Sequence, residues 1–282
     1  MILCKTVKEV REKLAIVKKA GKSVGLVPTM GALHEGHASL IKAASKEKDF
    51  VLVSVFVNPT QFAEGEDLDS YPRTLDADCE LAKGMGADLV FAPNPSEMYP
   101  SKDMTWVEVL GAITKVLCGR TRTSHFRGVT TVVSKLFNIV EPTRAYFGQK
   151  DAQQVQVLKR MVRDLFFNLE IRVLPIVRES DGLAKSSRNT YLSSEERKAA
   201  LVLSKSLQLA KKAFEEGERD SKKLVELTVN LIKQEKLSKI DYVEMYELPD
   251  LTPISKTIEK PVLLALAVKF GSTRLIDNII LK

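Results

Sequence analysis

The strongest constraint on the fold is the alternation of strand-like and helix-like segments that runs through residue 175. Residues 50–57 read Phe-Val-Leu-Val-Ser-Val-Phe-Val, a β-branched and aromatic run typical of a strand buried on both faces. The same patterns predict helices at 6–20, 36–45, 73–83, 128–140 and 151–164, and further strands at 22–27, 87–92, 144–147 and 169–175. This alternation indicates βαβ units, and therefore an α/β fold with a Rossmann-like, doubly wound parallel sheet. Such sheets bind ligands at the carboxyl ends of their strands.

After about residue 178 the pattern changes. Two long Lys- and Glu-rich helices are predicted at 193–216 and 221–235, followed by strands at 239–247, 262–270 and 274–281. Consecutive helices and then consecutive strands indicate a separate, smaller C-terminal α+β domain. We therefore predict two domains, residues 1–177 and 178–282.

Composition excludes several classes of protein. The chain has 282 residues, of which 44% are hydrophobic and 28% charged, as in ordinary globular proteins. Its three scattered cysteines form no disulfide framework, which indicates a reducing compartment. The N-terminus has no apolar signal region, and no apolar run approaches the ~20 residues of a membrane span. A cytoplasmic protein that does not bind membranes is the expectation.

The formal net charge of +7 fits several partners. Nucleic acid, an anionic membrane surface and small anions all attract basic proteins, but lysines on solvated helix faces give the same charge. A nucleic-acid-binding protein is disfavoured, because aromatic residues make up only 6% of the chain and many lie in core-like strand patterns.

Two of the three histidines lie in the segment His34-Glu35-Gly36-His37, which follows a predicted strand and opens a helix. A helix N-terminus attracts anions, and two imidazoles three residues apart can both donate to phosphate oxygens. Gly36 would let the backbone approach a phosphate closely. A metal site is the alternative, but the zinc-protease pattern needs histidines four residues apart, and a purely structural role is the third interpretation.

Two further segments have the residue types of a phosphate site. Phe147-Gly148-Gln149-Lys150-Asp151 joins a strand to a helix, and Lys185-Ser186-Ser187-Arg188-Asn189 lies at the predicted domain junction. Lysine and arginine can bind phosphate, and aspartate can accept from ribose hydroxyls. Each segment alone is a weak signal, because plain turns and helix caps have the same composition.

Together these segments resemble the signature of the pantothenate synthetase family, in the nucleotidyl-transferase superfamily. The matching blocks occur in the family's order over about residues 22–192: Pro28-Thr29-Met30-Gly31-x-x-His34-x-Gly36-His37, Phe56-Val57-Asn58-Pro59-x-Gln61-Phe62, Tyr71-Pro72-Arg73-Thr74, His125-Phe126-Arg127-Gly128-Val129, Lys135-Leu136-Phe137-Asn138-Ile139-Val140, Phe147-Gly148-x-Lys150-Asp151-x-Gln153-Gln154 and Asp181-Gly182-Leu183-Ala184-x-Ser186-Ser187-Arg188-Asn189. The C-terminal third carries no such block.

The resemblance implies an enzyme that condenses pantoate with β-alanine, using ATP and Mg²⁺, through a pantoyl-adenylate. It also implies a homodimer, with residues 1–177 binding nucleotide and pantoate and residues 178–282 acting as a lid. A nucleotidyl-transferase that acts on a phosphate-bearing acceptor is the alternative. Such an enzyme would share the His-x-Gly-His segment but would have no need of the glutamine pair Gln61 and Gln154.

The resemblance also assigns residues to roles. His37, His34 and Lys150 are expected to be catalytic, Gln61 and Gln154 to bind pantoate, and Gln61 also to bind β-alanine. The residues expected to bind ATP are Met30, Gly31, Ala32, Leu33, His34, Glu35, Gly36, His37, Gly148, Gln149, Lys150, Asp151, Val177, Lys185, Ser186, Ser187 and Arg188. No metal-ligating residue is assigned: Mg²⁺ is expected on the phosphates, and Asp78 is interpreted as a solvated helix-surface carboxylate.

Three points remain hypotheses at this level. Lys185 stands where the family usually has an apolar residue, and we interpret it as an added phosphate contact. Thr123-Ser124 replaces the family's Pro-Gly, and we interpret the change as a looser turn that affects no catalytic role. Residues 63–70 have the composition of a mobile lid.

Overall fold

A computed structural model of the chain describes residues 1–47, 50–101 and 103–282. The residues form two compact units whose boundaries cross the chain several times. The first unit comprises Met1–Val109, Arg122–Gly148 and Val157–Pro175, and the second comprises Leu110–Thr121, Gln149–Gln156 and Ile176–Lys282. Across the described residues, every helix is too short or too polar to cross a membrane.

The first unit is built on a six-stranded sheet with the order β1-β4-β3-β2-β5-β6, and every pairing in it is parallel. Its strands are β1 Ile2–Cys4, β2 Val24–Thr29, β3 Phe50–Val55, β4 Leu89–Phe91, β5 Arg144–Gly148 and β6 Glu170–Leu174. The parallel, Rossmann-like sheet is therefore confirmed. β1, a three-residue edge strand, was not predicted because so short a run carries no periodicity.

Helices follow the strands as expected of βαβ units. The first seven are α1 Val7–Lys19, α2 Glu35–Lys46, α3 Leu75–Gly84, α4 Pro95–Met98, α5 Cys118–Thr121, α6 His125–Val140 and α7 Ala152–Asp164. α1 begins at a capping box in which Thr6 and Glu9 each accept from the other's backbone N–H. Its buried residues are Val10, Leu14 and Val17, which share one helical face.

The strand order reverses beside β2, because β3 lies on one side of it and β5 on the other. β2 pairs with β5 through Gly25–Arg144 and Leu26–Ala145, near the amino ends of both strands. A reversal of this kind leaves a crevice at the carboxyl ends of the two strands. The chain leaves β2 into residues 30–37 and leaves β5 at Gly148, so the fold directs the His-x-Gly-His segment to this crevice.

The second unit contains an antiparallel sheet with the order β10-β9-β7-β8. Its elements are α8 Ser194–Ala199, α9 Val202–Glu215, α10 Ser221–Lys233, β7 Ser238–Glu247, β8 Thr252–Pro253, β9 Val262–Phe270 and β10 Thr273–Leu281. The predicted small α+β architecture is confirmed. In β9 the run from Val262 to Val268 is buried throughout, and its alternate residues Val262, Leu264, Leu266 and Val268 belong to the unit's hydrophobic core.

The prediction of one continuous helix over 193–216 is wrong. The backbone N–H of Leu201 donates to Lys198, and that of Leu203 donates to Ala200. These bonds span three residues rather than four, so the chain passes through a tighter 3₁₀-like turn between α8 and α9.

We expect Leu266→Ala to lower the stability of the second unit by about 2–5 kcal/mol, the usual cost of emptying a closely packed site. Leu266 is fully buried at the centre of β9. Chemical denaturation measures the change, and Lys269→Ala, at an exposed position of the same strand, is the control. A denaturation midpoint equal to that of the unsubstituted protein would contradict the packing described.

Candidate active site

The loop that leaves β2 is fixed by a buried carboxylate on α3. Asp78 accepts from the backbone N–H groups of Ala32 at 3.1 Å and Leu33 at 2.7 Å, and from the hydroxyl of Thr74 at 3.2 Å. It is only 2% exposed, so its interpretation as a solvated surface carboxylate is wrong. The reason is tertiary: the loop supplies the donors that water would otherwise supply.

The same contact explains the glycine at position 31. Gly31 has φ +87° and Ala32 has φ +49°, so both lie in the left-handed region. A Cβ on Gly31 would lie 3.0 Å from Asp78 Oδ2. The loop therefore curls around the carboxylate, and the N–H groups of Ala32 and Leu33 point inward to it.

His34 and His37 meet at the start of α2. His34 is the N-cap residue: its Nδ1 accepts from the backbone N–H of Gly36 at 3.1 Å. The Nδ1 of His37 accepts from the backbone N–H of His34 at 3.3 Å. Because both Nδ1 atoms act as acceptors, a neutral imidazole at either position carries its proton on Nε2.

The two imidazoles are stacked, with ring centroids 4.1 Å apart and an interplanar angle of 28°. A Cβ at Gly36 would lie 2.8 Å from the His34 ring. Gly36 thus makes room for the histidine, a role that the sequence alone did not reveal. The stacked pair at a helix N-terminus has the donors and the dipole direction that an anionic group needs.

Gln61 ends the short 3₁₀ turn Pro59–Gln61 that follows β3, and it is 8% exposed. Its Nε2 donates to the Met30 sulfur at 2.7 Å, and its Oε1 accepts from Asn58 Nδ2 at 3.1 Å. The structure therefore brings together two of the predicted site residues, Gln61 and Met30.

Asn58 is a residue whose role sequence reasoning missed, although its motif was recognised. Its Oδ1 accepts from Tyr99 OH at 2.8 Å, and its Nδ2 also donates to the Gly128 carbonyl at 3.2 Å. Burial raises the pKa of Tyr99, so the hydroxyl keeps the proton that it donates. This network fixes which way the Gln61 amide points.

Helix α6 lies against the backbone of this turn. A Cβ on Gly128 would lie 2.3 Å from the carbonyl oxygen of Thr60 and 2.7 Å from Gln61 Cα. A glycine is therefore required here for a close approach rather than for an unusual φ. His125, the first residue of the same helix, places its Nδ1 3.0 Å from the Gln61 carbonyl oxygen.

The predicted lid segment, 63–70, is tied to the same region. Arg122 donates to Glu66 at 2.5 Å from Nε and at 2.7 Å from Nη2. Burial alone would raise the pKa of Glu66, but the hydrogen bonds and charge of Arg122 outweigh it, and the pKa is lowered. Glu66 stays ionised as Arg122's partner, so opening of this segment would have to break that pair.

In the second unit, Gln149–Asp151 forms a 3₁₀ turn that runs directly into α7. Gln153 follows it and is 6% exposed. Its Oε1 accepts from the backbone N–H of Cys118 at 3.0 Å, and its Nε2 donates to the carbonyls of Ile113 and Val116. Gln153 thus ties residues 113–118 to α7, whereas the predicted ligand, Gln154, is only partly buried.

The predicted phosphate-binding segment 185–189, called here the phosphate clamp, follows a short hairpin. Arg178 and Ala184 form an isolated antiparallel bridge, and the Lys185 backbone N–H donates to the Val177 carbonyl at 2.9 Å. The Lys185 ammonium lies 3.9 Å from a carboxylate oxygen of Glu179. Ser186 caps the 3₁₀ turn Ser187–Tyr191 by accepting from the backbone N–H of Arg188.

The predicted residues are divided between the two units. Met30–His37, Gln61 and Gly148 belong to the first, while Gln149–Asp151, Gln154, Val177 and Lys185–Arg188 belong to the second. In the second unit, Lys150 and Ser186 line one small cavity. Among the described residues, no group of three or more His, Cys, Asp and Glu side chains could hold a metal ion.

Comparison with known proteins extends over the whole chain. The family model for pantoate-beta-alanine ligase matches residues 2–280. The chain is 55% identical over 282 residues to a pantothenate synthetase of Acetivibrio thermocellus, covering 100% of both chains. It is 56% identical over 278 residues to one of Enterococcus faecalis, covering 99% of this chain and 98% of the other.

Solved structures agree. A pantothenate synthetase of Thermus thermophilus is 43% identical, with a TM-score of 0.92 over 99% of each chain. A pantoate-beta-alanine ligase of Francisella tularensis, complexed with beta-gamma ATP and beta-alanine, is 35% identical. Its TM-score is 0.82, with 99% of this chain and 97% of the other covered.

We expect Asp78→Asn to loosen the loop after β2. An amide at this position offers one oxygen and an NH₂ group where two backbone donors converge, so one donor loses its partner, at a cost of about 1–3 kcal/mol. Hydrogen exchange at the amides of Ala32 and Leu33 should become faster. Asp76→Asn, at an exposed position in the first turn of α3, is the control, and unchanged exchange in Asp78→Asn would contradict the assignment.

Proposed function

The chain belongs to the pantoate–β-alanine ligase family, and we propose that it condenses pantoate with β-alanine, using ATP and passing through a pantoyl-adenylate. The observation that carries the proposal is the stacked pair His34 and His37 at the N-terminus of α2, beside the crevice of the parallel sheet. Two Nε2–H donors and a helix dipole at that place suit a polyphosphate.

The chemistry explains why ATP is needed. A carboxylate resists attack by an amine, because oxide is a very poor leaving group. In the first step a pantoate carboxylate oxygen attacks the α-phosphorus, a new P–O bond forms, and the bond to the β-phosphate breaks to release pyrophosphate. In the second step the β-alanine nitrogen attacks the acyl carbon, AMP leaves, and the nitrogen loses a proton.

In the first step, negative charge accumulates on the departing pyrophosphate. We assign His34, His37 and Lys150 to stabilise it, as donors already oriented before the reaction. Other residues of Met30–His37, together with Gly148, Gln149, Asp151 and Val177, complete the nucleotide site. Lys185, Ser186, Ser187 and Arg188 supply further phosphate contacts from the second unit.

Pantoate is assigned to Gln61 and Gln154, and β-alanine to Gln61. Neutral amides suit a carboxylate that must attack, because an arginine would withdraw more electron density from it. The Gln61 amide is already oriented by Asn58 and Met30, which supports this assignment.

We propose that Mg²⁺ is held mainly by the phosphates of ATP. Asp78 is not a candidate ligand, because the loop and Thr74 already donate to its carboxylate. When bound, the ion would neutralise phosphate charge.

Residues 1–177 are proposed as the nucleotide- and pantoate-binding domain and 178–282 as the lid. The protein is proposed to be a cytoplasmic homodimer.

The decisive experiment is exchange of labelled pyrophosphate into ATP without β-alanine. Label should enter ATP only when pantoate and Mg²⁺ are both present, because only a reversible adenylation returns pyrophosphate to ATP. Exchange that needs no pantoate, or no exchange at all, would refute the proposal.

His37→Ala and Lys150→Ala should each lower kcat by about 10²–10³-fold, as is typical when one oriented donor is lost from a charge-stabilising site. The overall reaction measures the loss, and circular dichroism checks that the fold is retained. Lys42→Ala, on an exposed face of α2, should keep full activity. Near-normal turnover in either site variant would mean that the site is misassigned.

Lys185→Met tests the interpretation of Lys185 as a phosphate contact. The ammonium also lies near Glu179, so the side chain has a structural partner that could account for it. We expect KM for ATP to rise in Lys185→Met and to stay near normal in Lys185→Arg, which keeps the charge. An unchanged KM in the methionine variant would leave the ion pair with Glu179 as its role.

A further inference from the structure

The last strand of the chain buries two polar residues in a row. Asp277 is 2% exposed and Asn278 is 3% exposed, in the middle of β10 at the edge of its sheet. Successive side chains of a strand point to opposite faces, so a strand with one buried face should bury only one of two neighbouring residues. A buried carboxylate is also costly unless it is fully paired. Each side chain therefore needs a specific partner.

The partners of Asn278 belong to the 3₁₀ turn Gln149–Asp151, called here the Lys150 turn. Its Nδ2 donates to the carbonyl oxygens of Gln149 and Lys150, both at 3.0 Å. Its Oδ1 accepts from Gln149 Nε2 at 3.3 Å. One buried amide thus satisfies the backbone of the turn from which the Lys150 side chain projects.

The partner of Asp277 belongs to the hairpin that precedes the predicted phosphate clamp. Arg178 donates to both carboxylate oxygens, at 2.7 Å from Nη1 and 3.0 Å from Nη2. Arg178 Nη1 also donates to the Gly182 carbonyl at 3.0 Å, which closes the hairpin. Lys185 continues directly from this hairpin, bonded to Val177.

The two contacts converge on one place. Asp277 and Asn278 are linked by a 2.8 Å hydrogen bond from the Asn278 backbone N–H to Asp277 Oδ1. Asp277, Lys150 and Ser186 all line the same small cavity of the second unit. A single dipeptide therefore holds both segments that carry the predicted phosphate-binding side chains of this unit.

We infer that Asp277 and Asn278 are positioning residues for the ATP triphosphate: Asn278 sets Lys150, and Asp277, through Arg178, sets residues 185–188. The inference rests on the proposed function and gives the C-terminal strand a part in catalysis. Neither residue needs to touch the nucleotide. Buried ion pairs usually add little stability, which fits a role for the Arg178–Asp277 pair in orientation.

Asn278→Ala removes the two bonds to the Lys150 turn. The kcat/KM for ATP in pantoate-dependent pyrophosphate exchange should fall about ten-fold, the effect of roughly one hydrogen bond. The control is Ile279→Ala. Ile279 is the next residue of the strand and packs in the core, so this variant should be less stable but should keep its kcat/KM. Asn278→Asp, with the same shape but no donor, replaces the alanine variant if that variant fails to fold.

A double-mutant cycle separates positioning from general loosening. If Asn278 acts through Lys150, the ten-fold effect should disappear when Asn278→Ala is made in the Lys150→Ala background. The same loss in both backgrounds, no loss in Asn278→Ala, or an equal loss in Ile279→Ala would each overturn the inference.

Arg178→Lys tests the other arm. It keeps the charge next to Asp277 but loses the two-pronged geometry and the bond to Gly182. Hydrogen exchange at the Lys185 amide should become faster, and KM for ATP should rise about ten-fold. Normal hydrogen exchange at the Lys185 amide would overturn this arm.

If the unsubstituted protein shows no pantoate-dependent pyrophosphate exchange, the proposed function fails. Hydrogen exchange at Lys150 and Lys185 still tests whether β10 holds these segments.

Discussion

The hydrogen bonds that the Asp78 carboxylate accepts from two backbone N–H groups set the geometry of the loop after β2. A parallel sheet brings a loop to the crevice beside β2, but it does not decide how that loop turns. Asp78 does so by drawing Ala32 and Leu33 inward, and Gly31 accepts the left-handed backbone that results. The chain then enters α2 with His34 at the N-cap, where its ring can stack on His37.

Buried side-chain amides have a similar role at three other places in the two units. Asn58 orients Gln61, Gln153 ties residues 113–118 to α7, and Asn278 holds the Lys150 turn. In each case a buried side-chain amide bonds to its target from more than one atom or to more than one partner. An amide both donates and accepts without carrying charge, so it can fix a backbone at a lower desolvation cost than an ion.

Sequence patterns predicted the elements well where the pattern is local. The run at 50–57 identified β3, and the Thr6 and Glu9 capping pair lies where α1 was expected to begin. The motif blocks identified the family whose model matches residues 2–280. What sequence could not supply were contacts between distant residues: Asp78 lies 45 positions from Leu33, and Asn278 lies 128 from Lys150. The turn between α8 and α9 was missed because its short-range bonds interrupt a sequence that is helical on both sides.

Gly128 shows how far the Gln61 site extends beyond the residues that would touch a substrate. The backbone of α6 passes so near Thr60 that there is no space for a methyl group between them. The position of Gln61 therefore depends on where α6 lies, although this helix begins more than sixty residues later in the chain. Position 128 is therefore limited by its contact with Thr60 and Gln61, and a tolerant core position elsewhere on α6 is no guide to which residues it will accept.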